Sequence, residues 1–224
     1  DSFFFVTPAA LFDDDGYLEK GALFFKDRNV SPENKRAWIK SILPTPISAN
    51  VKQNRMWTGE SGHQQESGVI VVDKHRHFVP LLLTTRLNGP DRDSDEAKGK
   101  KGVYDMMYGD KETFWLSFEM AGDLDYVFHE GVAGTMGKLT SLHPTEPDAP
   151  GDAPVAVDGP MICSPQLIHF DREGKPIWFN GWISLTKDDL HEWQEFEVYL
   201  EEGPEEGRRP KNDAWQIHPA NVVC

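Results

Sequence analysis

The chain opens on an apolar run, "DSFFFVTP", which reads as a buried strand ending at Pro8. "PAALF" follows as a short turn of helix or coil, "DDDG" as a loop, and "GALFFKDR" as a second apolar strand. In "SPENKRAWIKSIL" the pattern turns helical. Ser31 is the N-cap, Pro32 takes the first helical position, and the "PTP" from Pro44 ends the element. "GVIVVD", Gly68 to Asp73, sets four β-branched residues in a row, the mark of a strand buried on both faces. From about Arg76 to Leu87, Phe78, Leu81, Leu82 and Thr85 repeat at the helical period, and "NG" closes the element.

A charged loop, "GPDRDSDEAKGKKG", leads into "YGDKETFWLSFEMAG", Tyr108 to Gly122. Phe114, Trp115, Phe118 and Ala121 fall on one side of a helix, and Asp110 stands where an N-cap belongs. "YVFHEGVAG" has strand character. His143 to Pro160 is a Pro/Asp/Ala-rich excursion without periodicity. "MICSPQLIHF" and "KPIWFNGWI" read as two strands joined by a "DREG" turn, and "LEEGPEEGRRPKND" as a solvated tail. Strands alternate with helices first and antiparallel pieces come later, which predicts an α/β domain with a mixed sheet.

The totals narrow the class. At 224 residues the chain holds one large domain or at most two small ones. A hydrophobic fraction of 38%, with 13 Phe and 5 Tyr, excludes a disordered chain. The net charge of −14 makes it a poor partner for nucleic acid or anionic lipid, but leaves room for a local basic pocket that takes a phosphorylated ligand. Cys163 and Cys224 match no zinc spacing; they either pair or remain buried thiols. No apolar run reaches the roughly 18 residues of a spanning helix, and no signal-peptide pattern is present. The opening residues read as if cut from a longer protein in mid-strand.

Four clusters could carry chemistry. Asp1 heads a strand, where a carboxylate can hold a divalent cation; a solvated terminal Asp is the plainer alternative. In "ESGVIVVDK", Glu66 and Ser67 precede Gly68, which admits a ligand or another chain close to the backbone, or is simply a turn before a strand. In "GDKE", Asp110 is either an N-cap or part of a polar pocket bonding sugar hydroxyls. In "QLIHFDREGKPIWFNGW", His169 could give an imidazole nitrogen to a metal, or be one residue of a hairpin whose turn uses Asp171 and Gly174. Trp178, Phe179 and Trp182 are core residues or a sugar-stacking platform, with at least one in the core.

The order "DSFFFVTP … LFDDDGY…GALFFKDR … ESGVIVVDK … LLLTTRLNG … YGDKETFW … ICSPQLIHFDREGKPIWFNGW" resembles the fungal α-mannosyltransferases of glycosyltransferase family 71. The matching blocks run over Asp1 to Arg28, about Glu60 to Tyr126, and about Met161 to Ile183. The resemblance implies a GT-A-like fold, with a Rossmann-like nucleotide-sugar half, here lacking its first strands. It implies residues 1–190 as the catalytic region and 191–224 as a C-terminal tail.

It further implies mannose transfer from GDP-mannose to a mannose-containing glycan with retention, in α-1,2 or α-1,3 linkage, with Mn²⁺ as cofactor. The parent would be a Golgi type II membrane protein, its signal anchor outside this chain. Asp1 falls on the last Asp of the family's DxD motif and would be a metal ligand together with His169. Asp110 and Glu66 would be the catalytic carboxylates. Ser67, Gly68, Lys111, Lys175, Trp178 and Asn180 would bind substrate, the lysines through phosphate oxygens. The rival readings are a non-catalytic relative acting as a subunit of a mannosyltransferase complex, and a glycan hydrolase using Glu66 and Asp110 as paired carboxylates.

Overall fold

The computed structural model describes residues 2–29, 32–142, 159–181, 183 and 196–202. The elements in chain order are β1 (Ser2–Phe4), α1 (Asp15–Lys20), β2 (Ala22–Lys26), α2 (Arg36–Ile42), α3 (Ala49–Gln53), α4 (Arg55–Thr58), β3 (Gln65–Val72), α5 (Phe78–Leu87), α6 (Thr113–Ala121), β4 (Val127–Phe128), β5 (Ala133–Leu142), β6 (Gly159–Phe170), β7 (Pro176–Asn180) and β8 (Val198–Glu201). Short 3₁₀ turns at Pro8–Asp13, Glu96–Lys98 and Val103–Asp105 complete them. Strands and helices mix as the sequence predicts, in an α/β chain compatible with a GT-A-like fold. Two structural units divide it: Thr7–Glu130, and Asp1–Val6 with Gly131–Cys224.

The Thr7–Glu130 unit is built on a three-stranded mixed sheet in the order β3-β2-β4, with β2 antiparallel to β3 and parallel to β4. β2 is central, and Ala22, Leu23, Phe24 and Phe25 are all buried. The unbroken run "ALFF" therefore marks the strand covered on both faces. β3, expected to hold that place, lies at the sheet edge and alternates: Val69 and Val71 are buried, Ile70 and Val72 partly so. Phe24 meets Phe118 edge-on at 5.4 Å and Tyr126 at 5.7 Å, and the same core takes in Ile39, Met56 and Trp115. Such ring pairs add to the area they bury.

Several local expectations are corrected. "DDDG" is a helix start rather than a loop, because the Asp14 carboxylate accepts the N–H groups of Gly16 and Tyr17. The helix expected from Ser31 begins at Arg36, whose N–H is taken by the Asn34 side chain; Ser31 lies outside the described residues. α5 turns the other way from its apolar repeat. Phe78 and Leu82 are 60% and 53% exposed, while Pro80, Thr84 and Leu87 are buried. α6 starts at Thr113, and residues 109–112 form the turn before it.

The second unit is a five-stranded antiparallel sheet, β1-β7-β6-β5-β8. β6 and β7 form the expected hairpin. Its turn is closed by Gly174 N–H donating to the Asp171 carbonyl, with Gly174 at φ 75°, where L side chains are strained. Part of the expected tail is β8, paired with β5 through Val198 and Leu200. Period-two alternation puts Phe3, Phe179, Ile168 and Phe170 in one cluster with Met136. The excursion over 143–158, Asp1, Trp182, Cys224 and the side chain of Cys163 lie outside the described residues.

Gly131 is a close-approach site in this sheet. A Cβ there would lie 1.8 Å from the Phe170 carbonyl oxygen. Backbone cannot rotate aside, so Gly131→Ala is expected to destabilise this unit by about 3 kcal/mol, the upper end for overpacking. Urea denaturation followed by fluorescence checks this; an unchanged midpoint would show that the strand pair can shift.

Candidate functional site

β2 and β3 lie antiparallel with Phe25 opposite Glu66 and Lys26 opposite Gln65. The end of one strand therefore adjoins the start of the other. Asp27, just past β2, is held there by its own N–H donating to the Gln64 carbonyl at 3.0 Å and by Arg55 Nη1 donating to its carbonyl at 2.8 Å. The turn before α6 brings Lys111 between the two strands. Its Nζ lies 2.6 Å from Asp27 Oδ2 and 2.7 Å from Glu66 Oε2.

Both carboxylates are nearly out of water, with side chains 5% and 1% exposed. Their remaining oxygens are also engaged: Arg28 N–H donates to Asp27 Oδ1, and Gly68 N–H to Glu66 Oε1. Burial alone would pull Lys111 below its usual range. Asp27 and Glu66 outweigh that and hold its ammonium above it. Lys111 is thus paired with both carboxylates.

Glu112 lies beneath this triad and is fully buried. Its Oε1 accepts the N–H groups of Gln64 at 2.8 Å and Gln65 at 3.3 Å, and its Oε2 accepts the Trp115 indole N–H. Burial raises this carboxyl to about 7 despite the three donors, and Asp27 adds to the rise. His63 Nδ1 lies 3.8 Å from Glu112 Oε1, too far for a hydrogen bond. Burial pushes the His63 imidazole below its usual range, which keeps it neutral at pH 7.

The Glu112 shift sets a stability window. With an unfolded value of 4.5 and a native value of about 7, the native state holds a proton that the unfolded chain has lost between those limits. Stability therefore falls as pH rises from 4.5 to about 7, by about 3 kcal/mol for this group. Glu112→Gln is expected to lack that fall. Urea melts of both proteins at pH 5 and pH 8 measure it; an equal fall in the variant would assign the slope to other groups.

Towards solvent the cluster changes character. Asp110 is exposed, and its Oδ1 accepts the Ser67 hydroxyl at 3.0 Å. Its carbonyl closes the turn by accepting Thr113 N–H and Oγ1–H at 2.9 and 2.7 Å. Asp110 is therefore not the side-chain cap of α6. Tyr108 stands beside it, 74% exposed, its ring edge-on to His63 at 5.9 Å.

The predicted site residues thus fall into two groups, one per unit. Glu66, Ser67, Gly68, Asp110 and Lys111 come together in the Thr7–Glu130 unit. His169, Lys175, Trp178 and Asn180 belong to the other. There His169 is 1% exposed and stacks on the fully buried Trp178, with ring centroids 3.9 Å apart and planes 13° apart. Trp178 pairs with Phe4 in β1, and Asn180 with Ser2. Lys175 is exposed in the β6–β7 turn.

Among the described residues no group of three His, Cys, Asp or Glu side chains could hold a metal ion. The described residues on their own do not make up a metal site, and Asp1 lies outside them. Sequence reasoning did not find Asp27, His63 or the protonatable Glu112. The signal for Asp27 was present, a carboxylate at the end of a strand that opens on the apolar run Ala22–Phe25.

Residues 1–171 match the family described as "Mannosyltransferase putative". The chain is 28% identical over 200 residues to the Candida albicans protein named "Putative alpha-1,3-mannosyltransferase MNN15", covering 81% of this chain and 24% of that protein. It is 24% identical over 211 residues to alpha-1,3-mannosyltransferase MNT2 of Saccharomyces cerevisiae, covering 84% of this chain and 34% of that protein. With alpha-1,3-mannosyltransferase MNN1 of the same yeast it is 32% identical over 130 residues, covering 57% of this chain and 15% of that protein. The chain spans at most 34% of the length of these relatives.

Proposed function

The chain belongs to this mannosyltransferase family, and we propose that the full-length protein transfers mannose from GDP-mannose to a mannose-containing glycan with retention of configuration. The α-1,3 linkage is taken from the names of the relatives. The observation that carries the reading is the cluster inside the matched region. It holds one exposed carboxylate, Asp110, next to a buried anion–cation–anion set.

A retaining transfer passes through a cation-like sugar. A fixed carboxylate at its face lowers that barrier electrostatically. Asp110 takes this role because solvent and ligand can reach it, and the Ser67 hydroxyl fixes its direction. Glu66 does not touch the sugar in this reading. It positions Lys111, and with Asp27 sets the local charge. Exposed Lys175 is the better candidate for a phosphate oxygen, because Lys111 already serves two carboxylates.

Mn²⁺ belongs to the proposal, with Asp1 and His169 as its candidate ligands; a bound cation would neutralise charge on the departing diphosphate. The proposal also places the full-length protein in the Golgi lumen behind a membrane anchor. Among the described residues no helix is long and apolar enough to cross a membrane. The test is turnover of GDP-mannose on mannobiose by the full-length protein with Mn²⁺, then with EDTA. Transfer that EDTA abolishes and Mn²⁺ restores is expected. No turnover and no GDP binding would transfer the reading to a non-catalytic subunit.

A further inference from the structure

A second polar cleft lies in the Thr7–Glu130 unit. Lys26, Asn50, Gln53, Asn54, Gln64 and Tyr126 line it, around a cavity of about 280 Å³. That volume lies near the lower limit for small-molecule sites, the size of one or two sugar rings rather than of a nucleotide sugar. Lys26 is the last residue of β2 and faces the cleft, whereas Asp27 beside it pairs with Lys111. Gln64 likewise lines the cleft with its side chain while its N–H serves Glu112. Along the chain the two are neighbours: Lys26 precedes Asp27, and Gln64 stands two residues before Glu66.

The lining has a specific chemistry. Four amide side chains and one ammonium stand against an aromatic wall, with no carboxylate among the lining residues. Two of the amides are fixed in orientation. Asn54 Oδ1 accepts Met56 N–H at 2.8 Å, and Gln64 Oε1 accepts Arg55 N–H at 2.9 Å. Their NH₂ groups are thereby left as the donors. The Tyr126 hydroxyl donates to Glu119 Oε1, so Tyr126 contributes its ring. Fixed N–H donors with an apolar ring wall match a ligand that carries hydroxyl acceptors on one edge and C–H groups on the other.

An anion fits less well. The cleft's one lining cation, Lys26, is held below its usual range by burial first and then by Arg55, against the opposite pull of Glu130 and Glu60. A cation finds no carboxylate there.

We propose that this cleft is a subsite for a neutral sugar unit of the acceptor glycan, beside the unit that receives the transferred mannose. The inference rests on the transferase reading above for the identity of the glycan. Gln53 provides the cleanest test, since no described hydrogen bond of the fold uses its side chain. Binding of mannose and of mannotriose to the full-length protein is measured by calorimetry for wild type, Gln53→Ala and Lys26→Met. Each variant is expected to bind mannotriose about five- to tenfold more weakly, the loss of one or two hydrogen bonds. In transfer assays the same variants raise the KM for mannotriose by that factor and hold kcat within about twofold. Unchanged mannotriose affinity in both variants would overturn the subsite. Binding lost in the variants, with no transfer by wild type, would uphold the subsite and refute the transferase reading.

Discussion

Lys111→Met is expected to lower folding stability by about 3–5 kcal/mol, the cost of stripping a buried ion cluster of its counter-charge. Asp27 and Glu66 keep only 5% and 1% of their side-chain surface in water. Without the ammonium, each must hold its charge unpaired or take up a proton. The neutral triple variant Lys111→Met, Asp27→Asn, Glu66→Gln should recover most of the loss, because replacing every charge removes the unpaired ones. Urea denaturation at neutral pH compares the three proteins. Equal stability of wild type and Lys111→Met would mean that water reaches the carboxylates, and the buried set would then have no part in shaping the site.

Asp110→Asn is the complementary case, a large effect on activity with a small one on folding. Asp110 is exposed, its carbonyl closes the turn whatever its side chain, and Asn retains an oxygen for the Ser67 hydroxyl. Stability should change by less than about 1 kcal/mol. Turnover of GDP-mannose by the full-length variant should fall about 10²- to 10³-fold, the scale of losing one fixed electrostatic group in a reaction centre. Near-normal turnover would return Asp110 to the role of a turn residue and the carboxylate requirement to another group.

The parts of this fold that were legible in sequence are those whose signal is local. "GALFFKDR" is legible as an apolar strand, and the β6–β7 hairpin follows from two apolar runs around Asp171 and Gly174. The misread parts depend on partners distant in the chain. Which face of α5 is inward cannot be taken from its apolar repeat, since Thr84 can be buried once its hydroxyl donates to the Pro80 carbonyl within the helix. β8 was hidden by its acidic flanks, although Val198 and Leu200 alternate as a strand requires.

The site shows the same division. "ESG" and "GDKE" stood out as separate clusters, and the structure joins them through Ser67–Asp110 and Glu66–Lys111. Asp27 completes the set from 84 residues before Lys111. Its place depends on the register of β2 against β3, which no short window of sequence contains. Within "GDKE", nothing in the sequence separates Glu112 from its charged neighbours. Its burial under Trp115, and the raised carboxyl that results, are consequences of packing.

In the function proposed above, the full-length protein forms a new mannosidic bond from GDP-mannose with retention. The most direct measurement is the NMR spectrum of the product formed from GDP-mannose and mannobiose, read for linkage and anomeric configuration. A trisaccharide whose new mannose is α-linked through O3 of the acceptor is expected. A β-linked product, or free mannose with the acceptor unchanged, would contradict it.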